Sequence, residues 1–386
     1  MVILQTFDPG QFLSQYWQRK PVLIKQLFPR FKDPVDEHDL AGLAEFPEVD
    51  SRLVVRDGDQ WEVHQGPFED INQLCVSSWS LLVQGVDYYN QSCSDIMDAF
   101  GFIPHWRMDD LMVSYSVAGG GVGAHFDQYD VFIIQGKGQR RWQVGDRVVG
   151  QDALYPHPKL QQVPDFIPII DEVLASGDVL YIPPNFPHKG ETISDCMNYS
   201  VGFRAPDQSD LFQAIADDIL EKDKLTKRFT DRNRAFTDCP GAVSAHDIML
   251  LKQMLQQYVT SPQIDQILTE HMSKQHANFD ELTLETPIST GQMLALINQG
   301  VTVRRTTGVR PVYLDNQVSE EFIFYINGHR FSVAATQRYL MTQVLDQSLS
   351  VINRDLDIDH EWIETLREIL NLGYYEIVDP KAERDH

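Results

Sequence analysis

Short strand-like runs separated by turn residues dominate the first 206 residues of the chain. These runs cover residues 111–117, 131–134, 141–144, 179–182 and 198–203. Glycine or proline clusters such as Gly119-Gly120-Gly121 and Pro183-Pro184 end several of them. Many short strands with turn signals between them predict an antiparallel barrel or sandwich.

The pattern changes to helical spacing from about residue 207. Apolar residues recur there every three or four positions, which predicts amphipathic helices. They are Leu211, Phe212, Ile215 and Ile219, then Ile248, Leu251, Leu255 and Tyr258, then Ile264, Ile267 and Leu268. Ser261-Pro262 is a favourable helix start, because a capping hydroxyl precedes a proline in the first turn. Three such helices make a thin core, so we expect residues 207–275 to pack on another domain or on a second subunit.

A third region follows from residue 276. Residues 322–326 and 329–333 flank Asn327-Gly328, a strong hairpin signal. Helices are predicted near 291–298, 335–346 and 360–372, with a closing strand at 374–378. Helices and a hairpin over residues 276–386 fit a winged-helix domain. Only seven lysines and arginines lie from Val303 to Arg367, so we expect a structural or protein-contact role and no direct nucleic-acid binding.

Composition and charge narrow the class of protein. The chain has 386 residues, of which 42% are hydrophobic and 23% charged, values typical of a multidomain globular protein. The net charge of −24 argues against a phosphate-backbone binder and is compatible with a basic protein partner. Neither a secretory signal nor a membrane-spanning apolar run is recognised. The four scattered cysteines read as reduced thiols, so a cytoplasmic location is expected.

The candidate chemistry begins with His125-Phe126-Asp127 and a distant His188. On a β-strand, residues two apart point the same way, so His125 and Asp127 would face one ligand. The turn Pro183-Pro184-Asn185-Phe186-Pro187 would present His188 rigidly. Two imidazoles and one carboxylate form the facial triad of non-haem Fe(II) oxygenases. A His-x-Asp alone occurs often by chance, and the second half of the pattern supplies its specificity.

An Fe(II) oxygenase that uses a 2-oxo acid also needs a cation for the distal carboxylate of that acid. Arg140 is the candidate, because a guanidinium binds a carboxylate through two parallel hydrogen bonds. Alternation places Arg140 and Trp142 on one face of their strand. Ser114 or Ser116 could donate a hydroxyl to the same carboxylate, and Asn198 could serve as a polar inner-face residue.

These residues resemble the JmjC-type 2-oxoglutarate oxygenases, and within them the bacterial ribosomal oxygenases. The resemblance includes residues 16–24, 106–114, 125–130 and 135–142, and the turn that leads to His188. It extends to the three-part layout: a catalytic JmjC domain over 1–206, a helical dimerisation domain over 207–275 and a winged-helix domain over 276–386. It implies a double-stranded β-helix, the jelly-roll or cupin-like barrel, in an α+β chain that forms a homodimer.

What the resemblance implies for activity is specific. His125, Asp127 and His188 would hold Fe(II), and Arg140 would bind the far carboxylate of the cosubstrate 2-oxoglutarate. O2 would be consumed, with succinate and carbon dioxide as products. The substrate would be an arginyl residue in a basic loop of large-subunit ribosomal protein sixteen. Acidic residues such as Asp109, Asp110 or Asp130 would pair with that arginine.

Other readings stay open at this stage. One is a JmjC hydroxylase of another protein or RNA target; the absence of an evident aromatic cage disfavours a demethylase. Another is a non-catalytic ribosome-associated scaffold, although an intact triad argues against a decayed site. A cupin-type isomerase is disfavoured, because such sites usually carry more histidines.

Overall fold

The computed structural model describes residues 3–4, 6–58, 60–147, 162–221, 228–232, 234–275, 282–315 and 319–378. The chain divides into two compact units. The first comprises 1–205 with 306–308, and the second comprises 206–305 with 309–386.

The first unit is built mainly of strands. Its described helices are α1 (Pro9–Gln15), α2 (Glu37–Leu43) and α3 (Gln91–Asp98). Its described strands are β1 (Ile3–Leu4), β2 (Val22–Ile24), β3 (Ser51–Asp57), β4 (Gln60–Gln65), β5 (Ser78–Val83), β6 (Met108–Ser116), β7 (Asp130–Gln135), β8 (Gln139–Gly145), β9 (Pro168–Leu174), β10 (Val179–Ile182), β11 (His188–Ser194) and β12 (Cys196–Phe203).

These strands form two sheets. The larger has the order β1-β2-β10-β7-β12-β6-β5-β3-β4, and the smaller has the order β11-β8-β9. All pairings except β1 with β2 are antiparallel. The predicted antiparallel barrel is therefore confirmed.

Strand β7 separates two apolar cores because its side chains alternate in direction. Phe132 and Ile134 pack into the cluster that includes Phe12 of α1. Val131 and Ile133 pack on the opposite face, inside the barrel, with residues of the smaller sheet. A strand that is buried on both faces consists mostly of consecutive apolar residues, so the sequence predicts β7 directly.

The second unit contains helices and two small sheets. Its described helices are α4 (Gln208–Glu221), α5 (Ala245–Val259), α6 (Pro262–Ser273), α7 (Thr290–Gln299), α8 (Arg338–Asp346) and α9 (His360–Asn371). Its described strands are β13 (Val301–Arg305), β14 (Val312–Tyr313), β15 (Glu321–Ile326), β16 (His329–Ala334), β17 (Leu349–Ile352) and β18 (Tyr375–Val378). The sheet orders are β17-β13-β18 and β14-β15-β16.

The predicted hairpin of the second unit is confirmed. Ile326 pairs with His329 across the turn, and Asn327 and Gly328 both adopt positive φ, 47° and 81°, as a tight two-residue turn requires. Helix α6 begins at Pro262 as predicted, but the Ser261 side chain makes no capping hydrogen bond. The predicted boundary between 275 and 276 adjoins residues 276–281, which lie outside the described part of the chain.

Helices α4 and α5 expose large apolar side chains. Phe212 and Leu255 are 65% and 64% exposed, and α5, described over its full length, buries none of its residues. Among the described residues, α4 buries only Ala214 and Asp218, and most of the apolar face of both helices stays exposed. Among the helices that the structure describes, none combines the length and apolar character needed to cross a bilayer.

Candidate metal centre and its chamber

His125, Asp127 and His188 lie together at one end of the barrel. One candidate ligand atom from each lies within 4.8 Å of the others. The His188 Nε2 is 3.5 Å from the Asp127 Oδ2, and the two imidazole centroids are 4.3 Å apart. Two nitrogen donors and a carboxylate at this spacing suit a facially bound Fe(II) ion.

The local backbone differs from the strand expected for His125 and Asp127. Strand β7 begins only at Asp130, so Asp127 lies in the connecting segment before it. His125 forms an isolated β-bridge to His188. The two side chains converge because this bridge holds the segment, rather than because they alternate along a strand. His188 is the first residue of β11, at a strand end as predicted.

Backbone hydrogen bonds hold the three residues in place. The Asn185 N–H donates to the Asp127 carbonyl oxygen at 2.8 Å, and Asn185 itself has a left-handed φ of 66°. The Nδ1 atom of His188 lies 3.0 Å from the Phe186 carbonyl oxygen, and that of His125 lies 3.2 Å from the Gly123 oxygen. These contacts fix the rings and leave each Nε2 for a metal, as in other histidine metal sites.

The electrostatics favour a neutral His188. Burial, assisted by the neighbouring His125, lowers the pKa of His188 to about 4, because a buried charge is poorly solvated. A neutral imidazole is the form that coordinates metals.

Arg140 is a buried cation inside the barrel. It is 4% exposed, and burial lowers its pKa. Its Nη1 donates to the Asn198 Oδ1 at 3.2 Å, and its Nη2 to the Gly190 carbonyl at 3.4 Å. Its Nε has no hydrogen-bond partner within the described part of the chain, where no carboxylate pairs with the guanidinium either. A buried charge without a counter-ion is costly, so this chamber suits an anion.

The predicted polar residues Ser114, Ser116 and Asn198 all face this chamber region. In the register of β6 and β12, Asn198 pairs with Ser114, which places Ser114 beside the residue that binds Arg140. Ser116 is engaged differently, because its hydroxyl lies 2.7 Å from that of Ser80. The Asn198 amide donates to Gln135 at 2.9 Å. Ser114 is therefore better placed than Ser116 to meet a ligand beside Arg140.

Asp130 does not serve as expected for a substrate-facing carboxylate. It is fully buried, and it accepts hydrogen bonds from Tyr181 at 2.5 Å, Gln18 at 3.0 Å and Arg107 at 3.3 Å. The expectation that Asp130 pairs with a substrate arginine is wrong. All of the hydrogen bonds named above tie the Asp130 carboxylate to other parts of the same unit, and Gln18 links it to the N-terminal segment.

Tyr129 is a site residue that the sequence reading did not single out. The charge of Asp127, followed by burial and by the charges of Asp110 and Asp109, raises the Tyr129 pKa. Because Tyr129 is 45% exposed, the charge of Asp127 rather than burial is the main cause. Its position two residues after Asp127 was the only signal in the sequence.

Comparison with known proteins agrees with this geometry. Residues 95–211 match the JmjC domain family. The chain is 40% identical to the ribosomal protein uL16 3-hydroxylase of Escherichia coli over 96% of this chain and 98% of that protein. It is 35% identical to a probable ribosomal oxygenase of Haemophilus influenzae over 64% of this chain and 63% of that protein.

Solved structures agree over nearly the whole chain. The X-ray structure of E. coli YcfD has a TM-score of 0.87 and 36% identity, covering 97% of this chain and 99% of that one. A structure of E. coli YcfD in complex with cobalt and 2-oxoglutarate has a TM-score of 0.85 and 34% identity, with the same coverage.

Proposed function

Because this chain belongs to the JmjC-domain ribosomal oxygenases, we propose that it is an Fe(II)- and 2-oxoglutarate-dependent hydroxylase of a large-subunit ribosomal protein. The substrate group that we propose is an arginyl side chain. The observation that carries the proposal is that Trp142 contacts both the triad residue His188 and the buried Arg140, which has no carboxylate partner among the described residues. A triad or a buried arginine that served only the stability of the fold would not require the other nearby.

The chain's own residues have distinct tasks in this proposal. His125, Asp127 and His188 would hold Fe(II) through two imidazoles and one carboxylate, the ligand set typical of non-haem iron oxygenases. Arg140 binds the distal carboxylate of 2-oxoglutarate with help from Ser114, while Asn198 orients the guanidinium. When bound, iron supplies the oxidative decarboxylation of 2-oxoglutarate to succinate and carbon dioxide, with one atom of O2 entering succinate and the other the substrate.

The proposed substrate fits the charge around the metal centre. Asp109 and Asp110 are among the charges that raise the Tyr129 pKa, and the whole chain carries a net charge of −24. A basic loop would be attracted by that negative charge. Tyr129 would offer an aromatic surface to the arginyl side chain of the substrate.

The second unit supports a further part of the proposal. We place a homodimer interface on the exposed apolar faces of α4 and α5, since Phe212 and Leu255 are 65% and 64% exposed within the described part of the chain. We also propose that residues 276–386 form a winged-helix domain that contacts protein rather than nucleic acid. A cytoplasmic location follows from a substrate that is assembled there.

The test of the proposed chemistry is succinate formation by the purified protein. With Fe(II), 2-oxoglutarate and O2, a peptide that contains the target arginine should increase succinate output, and Asp127→Ala should abolish it. Succinate formation that is indifferent to this peptide would keep the oxygenase and refute the substrate. No succinate and no Fe(II) binding would favour a non-catalytic scaffold.

A further inference from the structure

Trp142 lies next to both halves of the proposed site. It is two residues from Arg140 on β8, and both side chains are buried while Arg141 between them is exposed. The Arg140 guanidinium carbon is 4.9 Å from the Trp142 ring centroid. The His188 ring centroid is 6.1 Å from that of Trp142. The indole therefore adjoins the cation that we assign to the cosubstrate and one of the metal-binding imidazoles.

The indole N–H of Trp142 is a buried donor without an acceptor. The residue is 6% exposed, and across the described chain its Nε1 finds no hydrogen-bond partner. A buried indole N–H usually finds a partner, and leaving it unpaired is destabilising. The Arg140 Nε is in the same condition. Arg140 and Trp142 thus provide two unpaired donors on the buried face of β8. A ligand with acceptor oxygens and no donors would satisfy both.

Gly190 lets the Arg140 and Trp142 side chains pack directly against the backbone of β11. It pairs with Trp142 across β8 and β11, so no side chain stands opposite the indole. A Cβ atom added at Gly190 would lie 3.0 Å from the indole Cη2 and 3.0 Å from the Arg140 Cζ, and it would collide with the Arg140 Nε. Only glycine leaves both side chains where they are.

We propose that Trp142 is a further cosubstrate-binding residue, whose indole N–H donates to an oxygen of the bound 2-oxo dicarboxylate. This inference rests on the proposed function. The 2-oxo dicarboxylate has acceptor oxygens and no donors, and the Arg140 Nε and the Trp142 Nε1 both lack an acceptor among the described residues. The hydrogen bond would add to the ion pair at Arg140 and orient the cosubstrate with respect to the metal.

The test measures binding rather than turnover. Trp142→Phe keeps an aromatic ring and removes the donor. Trp362→Phe in α9 is the matched control, since Trp362 is also buried and its Nε1 likewise has no hydrogen-bond partner among the described residues. Calorimetric titration of 2-oxoglutarate into the Mn(II)-loaded, oxygen-free protein should give a Kd about tenfold higher for Trp142→Phe, as expected for a hydrogen bond to a charged group. Trp362→Phe should leave the Kd unchanged.

Equal Kd values for both variants and the unaltered protein would overturn the role of Trp142. Failure of the unaltered protein to bind 2-oxoglutarate would instead refute the proposed function. A second measurement covers the case in which Trp142→Phe does not fold. The chain has six tryptophans, so the indole N–H signals of Zn(II)-loaded, 15N-indole-labelled protein can be followed as 2-oxoglutarate is added. The Trp142 signal should move most, and a stationary Trp142 signal would contradict the proposal.

Discussion

His125 and His188 exchange two backbone hydrogen bonds, at 3.0 Å from His125 N to His188 O and 2.7 Å in the other direction. Residues 63 positions apart in the chain are thus locked as a β-bridge. The bridge fixes the distance between the two imidazoles before any metal arrives. A preformed site needs little reorganisation to bind its ion.

Removal of the Arg140 charge should separate ligand binding from stability. In Arg140→Met the Kd for 2-oxoglutarate should rise about 100-fold or more, since a buried charge pair loses one partner. The ligand-free protein should be no less stable in urea, because the variant removes an uncompensated buried cation. Titration calorimetry measures the Kd for 2-oxoglutarate, and urea unfolding measures the stability of the ligand-free protein. An unchanged Kd would exclude Arg140 as the carboxylate-binding residue.

A single methyl group at Gly190 should also weaken cosubstrate binding. Gly190→Ala places a Cβ against Arg140 and Trp142, so both side chains must shift, and the Kd for 2-oxoglutarate should rise about tenfold. Metal affinity should stay the same. Gly291→Ala in α7 is the control, because nothing lies within 4 Å of its added Cβ. If the two variants bind 2-oxoglutarate equally well, the chamber is not where we place it.

Some features of the fold and of the candidate site can be predicted from the sequence, and others cannot. The triad and the turn before His188 were predictable, because the turn is local and its prolines restrict the backbone. Strands β7 and β10 were predictable from their continuous apolar runs. Strands β3 and β4 were not identified, since polar residues such as Arg52, Arg56 and Glu62 interrupt them.

The burial of Asp130 could not be read from sequence. Its partners Gln18, Arg107 and Tyr181 come from three distant segments, and only the assembled fold brings them together. The same holds for Gly190, whose role depends on side chains of a neighbouring strand. Residues whose function depends on long-range pairing leave no local pattern.

Acid should weaken the link between β2 and the turn before β10. Asp178 is 2% exposed and accepts hydrogen bonds from Lys25 Nζ at 2.9 Å, Gln26 N at 3.1 Å and Ala175 N at 3.0 Å. Burial alone would raise the Asp178 pKa, but these donors outweigh it and lower that pKa. The stabilisation is therefore complete above the unfolded-state pKa of about 3.9 and is lost as pH falls through the lower folded-state pKa.

Asp178→Asn should accordingly reduce the free energy of unfolding by about 2–3 kcal/mol at pH 7. The difference from the unaltered protein should shrink as pH falls below about 3.9 and through the lower folded-state pKa, because the native carboxyl becomes protonated over that range. Urea unfolding across this range measures it, with Asp171→Asn as a more exposed ion-pair control. A difference that stays constant down to pH 2 would contradict the assigned role of the charge.

The proposed dimer should depend on the exposed face of α5. Leu255→Glu places a charge where we expect an apolar interface, so the protein should sediment as a monomer. Ile167→Glu is the control, because Ile167 is 88% exposed and lies in the first unit. Analytical ultracentrifugation at several concentrations distinguishes the outcomes. Dimers of Leu255→Glu as stable as those of the unaltered protein would place the interface elsewhere.

The most direct test of the central proposal is mass spectrometry of large-subunit ribosomal proteins from unmodified ribosomes. They are incubated in air with the Fe(II)-loaded protein and 2-oxoglutarate, and His188→Ala serves as the control. We predict a gain of one oxygen atom on an arginyl residue of one ribosomal protein, absent with His188→Ala. Ribosomal proteins that remain unmodified while succinate accumulates would contradict the proposed substrate.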